Sequence, residues 1–205
     1  MNNNNSKSLL MSGGITGILA ALLMIFTGLM FLFQDIDHPD RMYGISVVMM
    51  LMIVPTLVAI STLLINDART GTLIGIAFAA LWVILELIAH LTQTSPLKIV
   101  MGQAVSQQEF GSIFTKIWKD LNETFLLTGG FSYAIMALCF GFSMRLWGNT
   151  GSAVLLIISA ITFAVTFIPG VDFNIHILVR GLTFLFLGCV LIQASKENNF
   201  PQWEE

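Results

Sequence analysis

Long apolar runs separated by short polar turns dominate the chain from end to end. After the Asn-rich opening MNNNNSKS (1–8), expected to be frayed, residues 9–33 form an apolar stretch of about 25 residues. A helix of about 20 apolar residues crosses a bilayer, so this stretch predicts a first membrane span. It is too long for the apolar part of a signal peptide and lacks a small-residue cleavage site, so it is expected to be retained. The same pattern predicts spans at 42–64, 72–92, 125–146, 152–168 and 173–194. The fifth is short for a hydrocarbon core of about 30 Å and stops at Pro169-Gly170. The fold class expected is an all-α polytopic integral membrane protein, with six transmembrane helices in one bundle and one domain over 1–205.

Within the spans, small residues and prolines mark packing points. Gly13-x-x-x-Gly17 in span one and Gly71-x-x-x-Gly75-x-x-x-Ala79 at the start of span three predict close helix contacts. Pro55 is expected to kink or open span two. Gly129-Gly130 in span four reads as a packing or hinge site rather than a ligand cradle.

The connections are short except for 93–122. There Ser95-Pro96 resembles a cap followed by proline, and Ser106-Gln-Gln-Glu109 has the spacing of a capping box. Apolar Phe110, Ile113, Phe114, Ile117 and Trp118 then recur on a helical period. An amphipathic segment is expected over 107–122, either lying along the interface or extending span four above the membrane.

Composition sharpens this picture. Of 205 residues 56% are hydrophobic and 10% charged, against about 25% charged in a soluble domain. Most of the surface is therefore expected to meet lipid. The net charge of −3 and the lack of a basic cluster exclude nucleic acid as an expected partner. Cys139 and Cys189 sit in apolar runs and suggest neither a disulfide framework nor a metal-binding pair.

The charges that do enter the spans carry the functional reading. Trp82, Glu86 and His90 recur at four-residue intervals, on one face of span three. Asp172, His176 and Arg180 form a similar stripe at the start of span six. Six spans place both termini at one end of the molecule, end A, with the long connection at the opposite end, B. Lysine and arginine divide equally between the ends, four and four. Because the short B loops are acidic and the short A turns carry single arginines, the termini are expected in the cytoplasm. Glu86 lies about 9 Å inside the B end of its span, and Arg180 reaches about the same depth. Glu123, Asn122 and His38 also gather at end B, which leaves end A hydrophobic.

An ionisable group at this depth faces protein or a water-filled cavity rather than lipid. The bland reading of Glu86 and Arg180 is a structural ion pair between spans three and six. The functional reading is a small polar cavity open to end B, framed by Glu86, His90, His176, Arg180, Asp172, Glu123 and Trp82, binding or transporting a small molecule or ion. Zinc needs three or four converging ligands, and His38, His90 and His176 are the candidates for it, completed by Asp172, Glu123 or Glu86. No HxxxH pair is present, so neither a metal nor any other cofactor is expected. A membrane-embedded metal-dependent hydrolase is the alternative from the enzyme class. An accessory subunit of a larger membrane complex is the alternative from the structural class. Partners expected are the lipid bilayer, a small-molecule or lipid ligand, and a second copy or a partner subunit. The location expected is a bacterial or archaeal cytoplasmic membrane.

Span two ends in the segment Ile60-Ser-Thr-Leu-Leu64, and a short turn leads into span three. Span four is rich in Gly, Phe and Leu from Gly130-Phe-Ser-Tyr through Phe140-Gly-Phe, and the turn Gly148-Asn-Thr-Gly151 leads into span five. In this order of parts, over spans two to five, the chain resembles a bacterial family of six-span membrane proteins that form a domain of unknown function. Members of that family often carry a basic residue in span three, where this chain has Glu86. The resemblance implies a topology and no activity.

Overall fold

The structure, a computed structural model, describes residues 3–33, 39–94, 110–171 and 173–196. Six α-helices account for them: α1 Asn3–Phe33, α2 Pro39–Leu64, α3 Arg69–Thr92, α4 Phe110–Leu146, α5 Thr150–Val165 and α6 Phe173–Lys196. Five are long and apolar enough to cross a membrane, and α5, with 16 residues, is a shorter apolar helix. Large apolar side chains stand exposed along every helix, among them Leu22, Leu51, Ile84, Phe142, Ile161 and Leu182. Water does not tolerate such a belt on a soluble monomer. The chain is compatible with an integral membrane protein.

Each helix packs on the next in sequence, and α6 returns to pack on α1. The α1–α6 seam is the most extensive, and glycines make it. A side chain on Gly188 would come within 2.8 Å of the Gly14 carbonyl, so the two backbones pass in direct contact there. On its other side α1 meets α2 at Gly13, whose carbonyl accepts a hydrogen bond from Thr56 Oγ1 at 2.8 Å. The ridge of α3 faces α4, with Gly75 under the Phe140 ring and Gly71 beside Ser143. Two turns use glycine in the left-handed region, Gly148 at φ 95° and Gly170 at φ 90°. After Gly148, Asn149 caps α5 by accepting from the Ser152 amide at 2.9 Å.

Two expectations change, at the start of α1 and the end of α5. α1 begins at Asn3 rather than after a frayed opening, and Ser6 is already buried. Pro55 lies inside α2, whose helical residues continue on both sides of it. α5 ends at Val165 rather than at 168. The described part of the amphipathic segment, 110–122, forms the first turns of α4, a continuous helix of 37 residues that runs on into span four. No glycine or proline interrupts it between Lys116 and Thr128, and local bonds support its polar stretch, with Lys119 beside Glu123 and Thr124 Oγ1 donating to the Asp120 carbonyl. His38, Asp172 and residues 95–109 lie outside the described residues.

Candidate functional site

The centre of the molecule is a pair of charges held by side chains alone. Arg180 of α6 donates from Nη1 to Glu86 Oε1 at 2.7 Å and from Nη2 to Oε2 at 3.2 Å, a bidentate pair. The helices bearing them, α3 and α6, are not among the closely packed neighbours, so the two side chains meet across the interior. Both are almost fully buried, Glu86 at 4% exposure and Arg180 at 3%. Gly129 of α4 makes the room, because a side chain there would press on Glu86 Cγ at 3.2 Å.

Aromatic rings clamp the guanidinium. Its carbon lies 5.2 Å from the ring centres of both Trp82 and Tyr133, within the range where a ring's negative face attracts a cation. Trp82 and Tyr133 meet edge to face at 4.8 Å, and Phe184 closes the other side of Trp82. The Tyr133 hydroxyl is hydrogen-bonded to Ser159 Oγ of α5. One turn before Arg180, the buried His176 ring packs against Tyr133 and Phe163, with Nδ1 3.1 Å from Thr162 Oγ1. Helices α3, α4, α5 and α6 thus each contribute to one polar cluster walled by aromatic rings.

Three polar atoms in this cluster have no hydrogen-bond partner among the described residues: Trp82 Nε1, His176 Nε2 and Arg180 Nε. A buried polar group left unpaired costs about 1–3 kcal/mol, so three at one centre form an unused capacity to bind.

The other residues singled out in the sequence distribute unevenly. Trp82, Glu86, His176 and Arg180 come together. His90, one turn nearer end B on α3, is half-buried beside the Tyr43 ring of α2 at 6.1 Å. Glu123 does not face the cluster. It stands exposed and pairs with Lys119 at 3.7 Å, while its neighbour Asn122 turns inward to accept from Thr92 Oγ1 at 3.2 Å. Successive helical residues point about 100° apart, which separates the two. Among the described residues no three His, Cys, Asp or Glu side chains converge as metal ligands; of the candidates for a metal, His38 and Asp172 lie outside the described residues.

Trp82, Tyr133, Glu86, His176 and Arg180 are all buried and form a packed cluster; the loops expected to cover it at end B, with His38 and Asp172, lie outside the described residues. A polar recess of about 350 Å³ lies at end A, between the Trp147–Thr150 turn and Gln193. A second cavity, apolar and about 590 Å³, lies between α2 and α3.

Sequence reading missed Tyr133, Ser159 and Thr162. Tyr133 carried a usable signal: a tyrosine inside an apolar span cannot bond its own backbone and needs a partner elsewhere. Ser159 and Thr162 carried none, since helical hydroxyls are commonly satisfied by the preceding turn, as Ser61 and Thr62 are. Compared with protein-family models, curated proteins and solved structures, the chain matches none, so its function rests on its own geometry.

Proposed function

We propose that the chain is a six-span integral membrane protein, folded as one bundle in a bacterial or archaeal cytoplasmic membrane with both termini cytoplasmic, and that it binds or transports a small anionic solute at the Arg180–Glu86 centre. The short α5 fits this topology with the turn Thr166–Ile168 completing its crossing and the bilayer thinning locally. The observation that carries the reading is the surplus of unpaired polar atoms around Arg180. Arg180 Nε and Trp82 Nε1 can only donate, and a purely structural pair has no use for idle donors in a dry interior.

Glu86 serves as the resident anion of this site. An anionic group of the solute takes the place of the Glu86 carboxylate on the guanidinium fork of Arg180. Trp82 and Tyr133 keep the guanidinium plane in position through the exchange, and Arg180 Nε and Trp82 Nε1 supply the additional donors. Arg180 lies about 10 Å inside the first residue of α6, which makes end B the shorter route in, past His176 and His90.

The test is a melting experiment on the protein in lipid nanodiscs with acetate, pyruvate or chloride at neutral pH. Saturation at about 100 times Kd stabilises by about 2.7 kcal/mol, so a bound anion raises Tm by roughly 5–10 °C. The Glu86→Gln/Arg180→Met double variant abolishes the shift. A monodisperse protein whose Tm none of these anions moves overturns the reading.

A further inference from the structure

The cavity between α2 and α3 is separate from the ion pair and has different chemistry. Its floor is Leu57, Ser61, Ala79 and Val83, all buried, and Val58 and Ile76 are among the exposed residues of its rim. The two hydroxyls in its wall are already satisfied within α2, Ser61 Oγ by the Leu57 carbonyl at 2.7 Å and Thr62 Oγ1 by the Val58 carbonyl at 2.9 Å. Nothing in the lining asks for a polar ligand.

The shape of the cavity selects among apolar ones. Its α2 wall runs from Val54 to Ile65, about 16 Å along the helix axis. A volume of about 590 Å³ drawn out over that length is a long apolar groove open along one side, and an extended hydrocarbon chain can lie in it. A cation stands beyond the A end of the channel. Ile76 and Val83 line the channel at seven-residue spacing, and Arg69 stands seven residues before Ile76, on the same stripe of α3. That places an exposed guanidinium about 10 Å beyond Ile76, at the height of a lipid headgroup.

We infer that the α2–α3 groove holds one acyl chain of an anionic phospholipid whose phosphate is bound by Arg69. The inference rests on the reading that α2 and α3 cross the bilayer. It needs nothing from the Arg180 centre. The small side chains of Ala79 and Ala80 leave the space, and the lipid chain fills it where no helix packs.

The experiment loads the full chain into nanodiscs of equal parts phosphatidylglycerol and phosphatidylcholine, extracts it in mild detergent, and weighs the intact complexes by native mass spectrometry. The wild type retains one phospholipid per chain, with phosphatidylglycerol favoured. Ala80→Phe fills the channel from its exposed wall and loses most of that lipid. Thr62→Phe, from the opposite wall, does the same if Ala80→Phe does not fold. Arg69→Gln keeps a bound lipid and reduces the preference for phosphatidylglycerol about fivefold, the weight of one cation near an anionic lipid surface. Unchanged retention in well-folded filled variants overturns the inference, as does a wild type carrying only detergent or a dimer that buries the groove against a second copy. Alkaline extraction of membranes separates the two readings: protein released by alkali sinks the membrane-spanning reading, whereas protein that stays but shows no lipid effect sinks only the groove.

Discussion

Helix α6 holds the molecule together in two different ways along its length. Its middle and A-end half, from Gly181 to Gly188, lies against α1 with almost nothing between the backbones. Its B-end turns, His176 to Arg180, reach across the interior with long polar side chains to a helix that α6 hardly touches. The difference follows from what lipid does to helix association. Hydrocarbon tails are as apolar as leucine, so helices gain little by hiding apolar faces and associate through close packing or polar contacts. The glycine seam uses the first and is geometrically unforgiving. The ion pair uses the second and tolerates a wide separation between helices, provided that both charges stay matched. A seam of glycines has no chemistry to offer, while a matched pair of charges has chemistry whenever one partner can be exchanged.

The largest expected effect comes from unmatching the charges. Glu86→Gln strands Arg180, which cannot shed its proton, and removing one partner of a buried pair costs about 3–5 kcal/mol. The double change Glu86→Gln/Arg180→Met removes both charges and recovers most of that loss. Thermal unfolding of the purified variants checks it. Equal losses in the single and double variants would mean that the pair is not what joins α3 to α6. Next in size is the seam. Gly188→Val drives a side chain into the Gly14 carbonyl and the Ile18 backbone, and overpacking of this kind costs about 1–3 kcal/mol. Its loss is not recovered by Glu86→Gln/Arg180→Met, because the two contacts share no atoms.

The sequence exposed the two regions to different degrees. Glu86 and Arg180 were legible as partners because each sits a similar number of residues from end B, and a helix converts residue count directly into depth. The seam was half legible. Gly13 and Gly17 announced a close approach, but nothing in the sequence indicated that Gly14 would face α6 while Gly13 faces α2, because that depends on how α1 is rotated between its neighbours. The same uncertainty in rotation misplaced Glu123, since α4 begins well before its apolar run and its phase could not be read from the span alone. The α2–α3 groove was not legible at all. It is space left between two packed surfaces, and no residue type marks it.

A smaller effect sharpens the contrast at the polar end. Tyr133→Phe removes the hydroxyl that Ser159 shares and leaves the buried Ser159 Oγ without its side-chain partner, at a cost of about 1–2 kcal/mol. The ring that faces Arg180 stays, so stability drops while the cation's clamp persists. Adding Ser159→Ala returns most of the loss if the hydroxyl pair acts alone. If it does not return, the hydroxyls belong to a network that includes His176, whose ring packs on Tyr133 and bonds Thr162, and His176→Phe then couples to Tyr133→Phe in a double-mutant cycle.

The smallest expected effect is a control on what counts as a charge contact in this protein. Lys119 and Glu123 form an ion pair at 3.7 Å, but their side chains are 75% and 62% exposed. Solvent screens such a pair and its two long side chains lose freedom by pairing, so Lys119→Gln changes stability by no more than about 0.5 kcal/mol. The loss shrinks further in high salt, whereas the effect of Glu86→Gln does not, because ions in solution do not reach a pair buried at 4% and 3% exposure. Melting both variants at low and high salt therefore tests the central contrast directly. A salt-sensitive Glu86→Gln would mean that water reaches the Arg180 centre, and the packed cluster would have to be redrawn as an open one.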